Sequence, residues 1–303
     1  MNNSAVSIAV IGNCQSAGLA SAIRLIAPSF EVQPWHLGVW PLGEPEEIAP
    51  TLMAYDYIVF LLTDLQLTSL PILLELKQQS GTTIQIPPFV FAGFHPDCIA
   101  LSNDSTRQVI PSPYRDQHSL IIACSYILGL TEHRVLSLFN RYVYESMGYL
   151  HSFSAAKEII TKTFQRSSIN LSEAIESWVR QSGSFMWIPT HPKKNVFLFL
   201  AEQILSKLDL EFQSEIKIDL MPDHMENDIQ FPIFPEIAAI IDGCIPSPMR
   251  QATSLSALNG DREHSLAEQI HTFYKFYSTT DSKILSAALP TDAIQTLKSL
   301  ILD

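Results

Sequence analysis

Cys14 is the residue around which chemistry can be built. It follows a short apolar run, Ile8-Ala9-Val10-Ile11, and lies in the turn Gly12-Asn13-Cys14-Gln15-Ser16. Ala17, Leu19, Ala20, Ile23 and Ile26 then recur at helical spacing. The β-branched run reads as a buried strand of a parallel sheet, so the order is strand, tight turn, helix. At a helix N-terminus the exposed backbone N–H groups carry roughly half a positive charge, which favours the thiolate of a cysteine placed there. Gly12 lets the chain turn, Asn13 and Gln15 bring amides beside the sulfur, and Ser16 adds a hydroxyl. The set suits an activated nucleophile or an anion site. A cysteine after a buried strand also serves as a small core hydrophobe, and spacing alone leaves both roles open. Two sharper motifs are absent: Gly12 is next followed by Gly18, not by a G-x-G-x-x-G pattern, and no Gly-Lys-Ser/Thr follows.

Histidine is the natural base for such a thiol, with a carboxylate to orient its second nitrogen. His95 and Asp97 stand in Ala92-Gly93-Phe94-His95-Pro96-Asp97, directly after an extended stretch. If their strands are neighbours, they lie beside Cys14. His191 stands in the turn Pro189-Thr190-His191-Pro192, before Lys193-Lys194-Asn195 opens a helix over Val196 to Leu208. A histidine with two lysines at a helix start suits an anionic ligand; solvated lysines on a surface turn are the plainer alternative. His118 lies at the start of an apolar helix running from Ser119 to Leu130, where it could meet substrate. Arg107 and Arg115 follow the His95 segment and are reserve cations. Asn103-Asp104 and Asp223-His224 are too short to define a hydrolase block or a metal site.

The elements that must position these residues follow from periodicity. Strands are expected at Ser7 to Ile11, within Phe30 to Trp40, and at Tyr57 to Leu62. A helix is expected over Leu65 to Gln79. Thr82 to Phe91 reads as extended, and Pro87-Pro88 place it at an edge or a strand end. Strands alternating with helices imply α/β: a doubly wound, mainly parallel sheet flanked by helices, with helical additions in the middle and C-terminal parts. Ligands bind at the carboxyl ends of such strands, which is where Cys14 falls. Thr131 caps a helix to about Met147, and Ser154 to Phe164 and Asn170 to Gln181 are helices too. Glu263 to Tyr277 is amphipathic. We expect one elaborated domain, with 1–110 as the sheet core, 111–210 as a helical part and 211–303 as a C-terminal extension.

Composition bounds the partners. The 303 residues are 47% hydrophobic and only 17% charged, which suits a thick globular core. A net charge of −12 argues against nucleic acid, since phosphate backbones call for a basic surface. The four cysteines are scattered with no C-x-x-C pair, so neither a structural zinc nor a redox motif is expected. No apolar run is long enough to span a bilayer. The first basic residue is Arg24, so the start lacks a signal peptide's basic region. The expectation is a cytoplasmic protein with no metal; a homo-oligomer stays open.

The chain resembles the WcbI-type polysaccharide-biosynthesis proteins associated with bacterial capsule acetylation. The resemblance rests on IGNCQS at Ile11 to Ser16, FAGFHPD at Phe91 to Asp97, HSLIIACSYILGL at His118 to Leu130, and THPKKNVFLFLAEQIL at Thr190 to Leu205. It implies an SGNH-like α/β fold, coenzyme A or acetyl-CoA as co-substrate, and acylation of a sugar hydroxyl. It also implies that Cys14 and Gln15 lie at the active centre, that His95 lies in the pocket, and that His191 matches a second family histidine. In that setting Asn13 and Gln15 would serve an oxyanion, and Asp97 and His118 the substrate. Gly12, Ser16, Lys193, Lys194, Arg107 and Arg115 would serve the cofactor. Cys14 stands where an SGNH enzyme has serine, and no terminal D-x-x-H block is evident. An esterase or thioesterase, or a non-catalytic coenzyme A or nucleotide-binding module, are the alternatives.

Overall fold

The computed structural model describes residues 5–37, 50–79, 82–103, 106, 108–214, 216, 218–226, 229–251 and 262–302. The chain divides into two compact units. The first comprises 1–90, 159–178 and 191–225, and the second 91–158, 179–190 and 226–303.

The first unit is built on a four-stranded sheet. Its strands are β1 (Ser7–Gly12), β2 (Glu31–His36), β3 (Tyr57–Leu61) and β4 (Thr83–Ile86). Their order is β2-β1-β3-β4, and every pairing is parallel. The burial pattern explains the sequence. β1 lies inside the sheet, and Ile8, Ala9, Val10 and Ile11 are all fully buried, so its apolar run is continuous. β2 is an edge strand and alternates, with Val32 and Trp35 inward. Ala9, Ile11, Ile58 and Phe60 share a core with Leu67, Leu73 and Leu76 from helices α2 (Asp64–Thr68) and α3 (Pro71–Gln79). Helix α1 (Gln15–Ile26) packs on β1 and β2, and against α4 (Lys194–Lys207).

Strand β1 is followed by β2 on one side, and the chain then returns to β3 on the other. The order therefore reverses at β1. The crevice beyond the carboxyl ends of β1 and β3 is the topological switch point, where open α/β sheets bind ligands. At Gly12 an added Cβ would stand 2.9 Å from Leu61 Cβ, so only glycine lets these two strand ends approach so closely.

Three expected elements differ from the structure. The helix over Leu65 to Gln79 is two helices, because Pro71 has no N–H to continue the first and instead starts the second. The helix from Thr131 to Met147 is also two, Glu132–Leu136 and Arg141–Ser146, the second capped by the Asn140 side chain. The strand before His95 stops at Ile86, where Pro87-Pro88 withdraw two donors in succession, so the Ala92–Asp97 turn does not directly follow a strand.

The second unit holds two small antiparallel sheets. Cys98–Ala100 pairs with Gln117–Ser119, and Met249–Gln251 lies between Ile229–Gln230 and Arg262–His264. Helices Leu120–Ile127, Leu266–Tyr277, Ser282–Ala288 and Thr291–Leu302 accompany them. The stripe Ile270, Phe273 and Tyr277 is buried core. Phe91, Phe94, Phe153 and Phe185 form an aromatic cluster, and a Cβ at Gly93 would stand 2.8 Å from Phe153 Cα.

Candidate active site

Cys14 caps α1, immediately beyond the carboxyl end of β1. Asn13 shapes the turn: its Oδ1 accepts the Gln15 N–H at 3.0 Å and its carbonyl accepts the Ser16 N–H at 3.0 Å. The Cys14 thiol makes no cap bond to the helix backbone. It lies instead 3.7 Å from Nε2 of His191, a distance that allows an S–H···N hydrogen bond. Both residues are partly exposed.

His191 comes from the segment that leads into α4, whose N-cap is Lys193. The helices α1 and α4 pack so tightly that a Cβ at Gly18 would stand 2.5 Å from the Phe197 ring. This close approach of two helix starts brings a thiol and an imidazole together across 177 positions of sequence.

Gln15 is fully buried. Its Nε2 donates to the Phe89 carbonyl at 2.8 Å and its Oε1 accepts the Phe89 N–H at 2.9 Å. Both ends of the carboxamide thus grip the chain just after β4. Phe89 is itself held by the Phe164 and Trp178 rings, at 5.6 and 6.0 Å between centroids. Ser16 is buried in the same turn.

Lys194 opens α4. Its N–H meets Asp223 Oδ2 at 3.3 Å and its Nζ donates to the Met221 carbonyl at 3.3 Å. The neighbouring His224 contacts Ser21 Oγ on α1 at 2.6 Å. The Asp223-His224 pair therefore ties its loop to both helices, a role that a metal-oriented reading of the two residues does not reveal. Among the described residues no group of three or more His, Cys, Asp or Glu could hold a metal ion.

The other candidates belong to the second unit. His95 is buried, and its Nδ1 donates to the Pro232 carbonyl at 3.2 Å. Asp97 is a buried helix cap. Its Oδ1 accepts from Ile121 N–H at 2.9 Å and Tyr149 Oη at 3.0 Å, and its Oδ2 accepts from Ser119 Oγ. Burial outweighs these bonds and lifts its carboxyl from 3.8 to about 6. His118 is fully buried, with Nδ1 on Tyr277 Oη at 2.9 Å and Nε2 on the Ile110 carbonyl at 3.0 Å. Burial lowers its pKa, so it is a neutral core histidine. Arg115 is exposed in a tight turn with positive φ. Arg107 lies outside the described residues. Cys98 and Cys124 are buried. Burial pushes both thiols up, Cys124 to about 12, which keeps them protonated.

The fold and the site together define an α/β protein with a thiol–imidazole couple at the switch point of a parallel sheet. The chain belongs to the WcbI polysaccharide biosynthesis enzyme family, whose model matches residues 7–213. It is similar over 96% of its length to 99% of a solved chain, with a TM-score of 0.61 and 13% identity. That structure is described as WcbI, a novel polysaccharide biosynthesis enzyme, native protein without disulfide bond between coenzyme A and Cys14. At this identity the likeness establishes the fold. Comparison with curated proteins finds no match. Among the described residues no helix is long and apolar enough to cross a membrane.

Proposed function

We propose that the protein transfers an acetyl group from coenzyme A to a sugar hydroxyl in polysaccharide biosynthesis, with Cys14 as nucleophile and His191 as general base. The observation that carries this reading is the 3.7 Å approach of Cys14 Sγ and His191 Nε2 at the start of two helices. The description of the related structure, which names coenzyme A and a cysteine together, adds support.

In this reading His191 Nε2 takes the thiol proton as Cys14 Sγ attacks the thioester carbonyl. The carbon–sulfur bond to coenzyme A breaks, and the departing thiolate takes the proton from His191. The sugar hydroxyl then gives its proton to Nε2 while its oxygen attacks the acetyl-cysteine, and the Cys14 sulfur leaves and recovers the proton. The Asn13 side-chain NH2, whose oxygen partner is engaged by the Gln15 N–H, faces the developing oxyanion. Gln15 acts indirectly by holding the Phe89 backbone. Lys193 meets a coenzyme A phosphate.

The test is release of the coenzyme A thiol from acetyl-CoA, followed together with intact mass. A burst of one thiol per protein, with acetyl on Cys14, is expected. Unchanged turnover in Cys14→Ala overturns the covalent step.

A further inference from the structure

A cleft of about 540 Å³ opens in the first unit along the outer edge of β4. Its wall starts at Leu62, one residue beyond the Gly12–Leu61 strand pair, and it continues through Asp64 and past Pro87. It runs the length of β4 from Thr83 to Pro87, with β3 between it and the β1 strand that leads to Cys14.

The side chains in it are distinctive. Lys77 and Arg166 both line the cleft, and among the described residues neither makes an ion pair. The Lys77 ammonium donates to Gln85 Oε1, and Gln85 Nε2 donates to Asp64 Oδ1 at 3.0 Å. In a chain of net charge −12, two cations that form no ion pair among the described residues share this cleft with the Asp64 carboxylate and give it a local positive balance that suits an anion. Asp64 and Gln85 add acceptors suited to hydroxyl groups, and Ile84 and Pro87 give an apolar wall. A site with cations, hydroxyl acceptors and an apolar strip matches a sugar that bears an anionic group.

We propose that this cleft binds the acceptor as a sugar unit carrying a carboxylate or a phosphate, with Lys77 and Arg166 on the charge and Asp64 on a hydroxyl. The acceptor role rests on the acyl-transfer reading; the binding of a charged sugar does not.

Titration calorimetry of the full chain with glucuronate, glucose 6-phosphate and glucose, at low and high salt, tests it. At least one charged sugar binds, more weakly at high salt, and neutral glucose binds far less. The two charged probes distinguish a sugar acid from a sugar phosphate, and either supports the site. The variant Lys77→Ala/Arg166→Ala keeps its melting temperature and loses roughly tenfold in affinity for the charged sugar. Its acceptor-independent release of thiol from acetyl-CoA is unchanged. Equal binding of glucose, no binding of either charged sugar, or unaltered affinity in the double variant overturns the assignment. So does loss of coenzyme A binding in that variant, which would give the cleft to the cofactor. Wild-type protein that binds the charged sugar but not coenzyme A supports the cleft and defeats the acyl-transfer reading.

Discussion

Cys14 Sγ and His191 Nε2 stand 3.7 Å apart, each delivered by the start of a different helix. The geometry puts an imidazole within reach of a partly exposed thiol, whereas burial keeps Cys98 and Cys124 as thiols. Iodoacetamide at neutral pH should therefore alkylate Cys14 well before either buried cysteine. His191→Gln should slow that alkylation and lower the proposed acetyl transfer by about 10²-fold or more, the usual worth of a positioned base. Peptide mapping after timed alkylation reads the first effect. Equal labelling rates in wild type and variant would remove His191 from the couple.

The contact between Gly18 and Phe197 sets the spacing of the two helices. A Gly18→Ala methyl would overlap the ring at 2.5 Å, so α1 and α4 must separate or the ring must turn. Overpacking of this kind costs about 1–3 kcal/mol. The expected outcome is a lower melting temperature together with reduced Cys14 reactivity, because His191 moves with α4. Gly18→Ala/Phe197→Leu should recover both. Lost stability with full Cys14 reactivity would separate the packing from the site.

The sheet was legible because its strands are short, apolar and bounded. Ile8 to Ile11 is continuous because β1 is covered on both faces, and Tyr57 to Leu61 reads the same way. The turn at Gly12 to Cys14 followed from the change of period after it. The breaks at Pro71 and Asn140 carried visible signals, a proline at N1 and a capping amide, but apolar periodicity runs across both. The pairing of Cys14 with His191 has no local signal, since 177 positions separate them. The grip of Gln15 on Phe89 was hidden for a different reason: its partner is backbone, which leaves no trace in residue type. Asp223 on the Lys194 N–H is likewise set by where a distant loop returns.

Asp97 gives the protein a pH signature. Its carboxyl titrates near 6 when folded against 3.8 for an unperturbed group, because burial disfavours the charged form. Between those values the folded state holds a proton that the unfolded state has released. Stability from this group is therefore fully present below 3.8 and is lost as pH rises through 6, by an amount on the order of 3 kcal/mol. Asp56 and Glu268, which hydrogen bonds hold below their usual values, act in the opposite sense at lower pH. Urea unfolding at pH 7 and pH 5 in wild type and Asp97→Asn isolates the contribution. The wild type should gain stability relative to the variant at pH 5, and parallel changes in the two proteins would exclude Asp97 as the source.

The lysines at the start of α4 face a sharper test. Coenzyme A carries several phosphate charges, and a chain of net charge −12 repels it unless a local patch intervenes. Lys193 caps the helix and Lys194 follows, so two side-chain charges lie at the positive end of one helix. Asp223 already meets the Lys194 N–H, and the Lys194 ammonium reaches the Met221 carbonyl, so Lys194 is committed to the 221–223 loop. One solvent-exposed charge contact is worth about 1 kcal/mol or less. Lys193→Ala should weaken coenzyme A binding several-fold and flatten its salt dependence. Lys194→Ala should do less to binding and more to the melting temperature, through the lost tie to the 221–223 loop. Titration calorimetry of both variants at two salt concentrations measures this. Identical affinity and an identical salt response in Lys193→Ala would move the phosphate site away from α4.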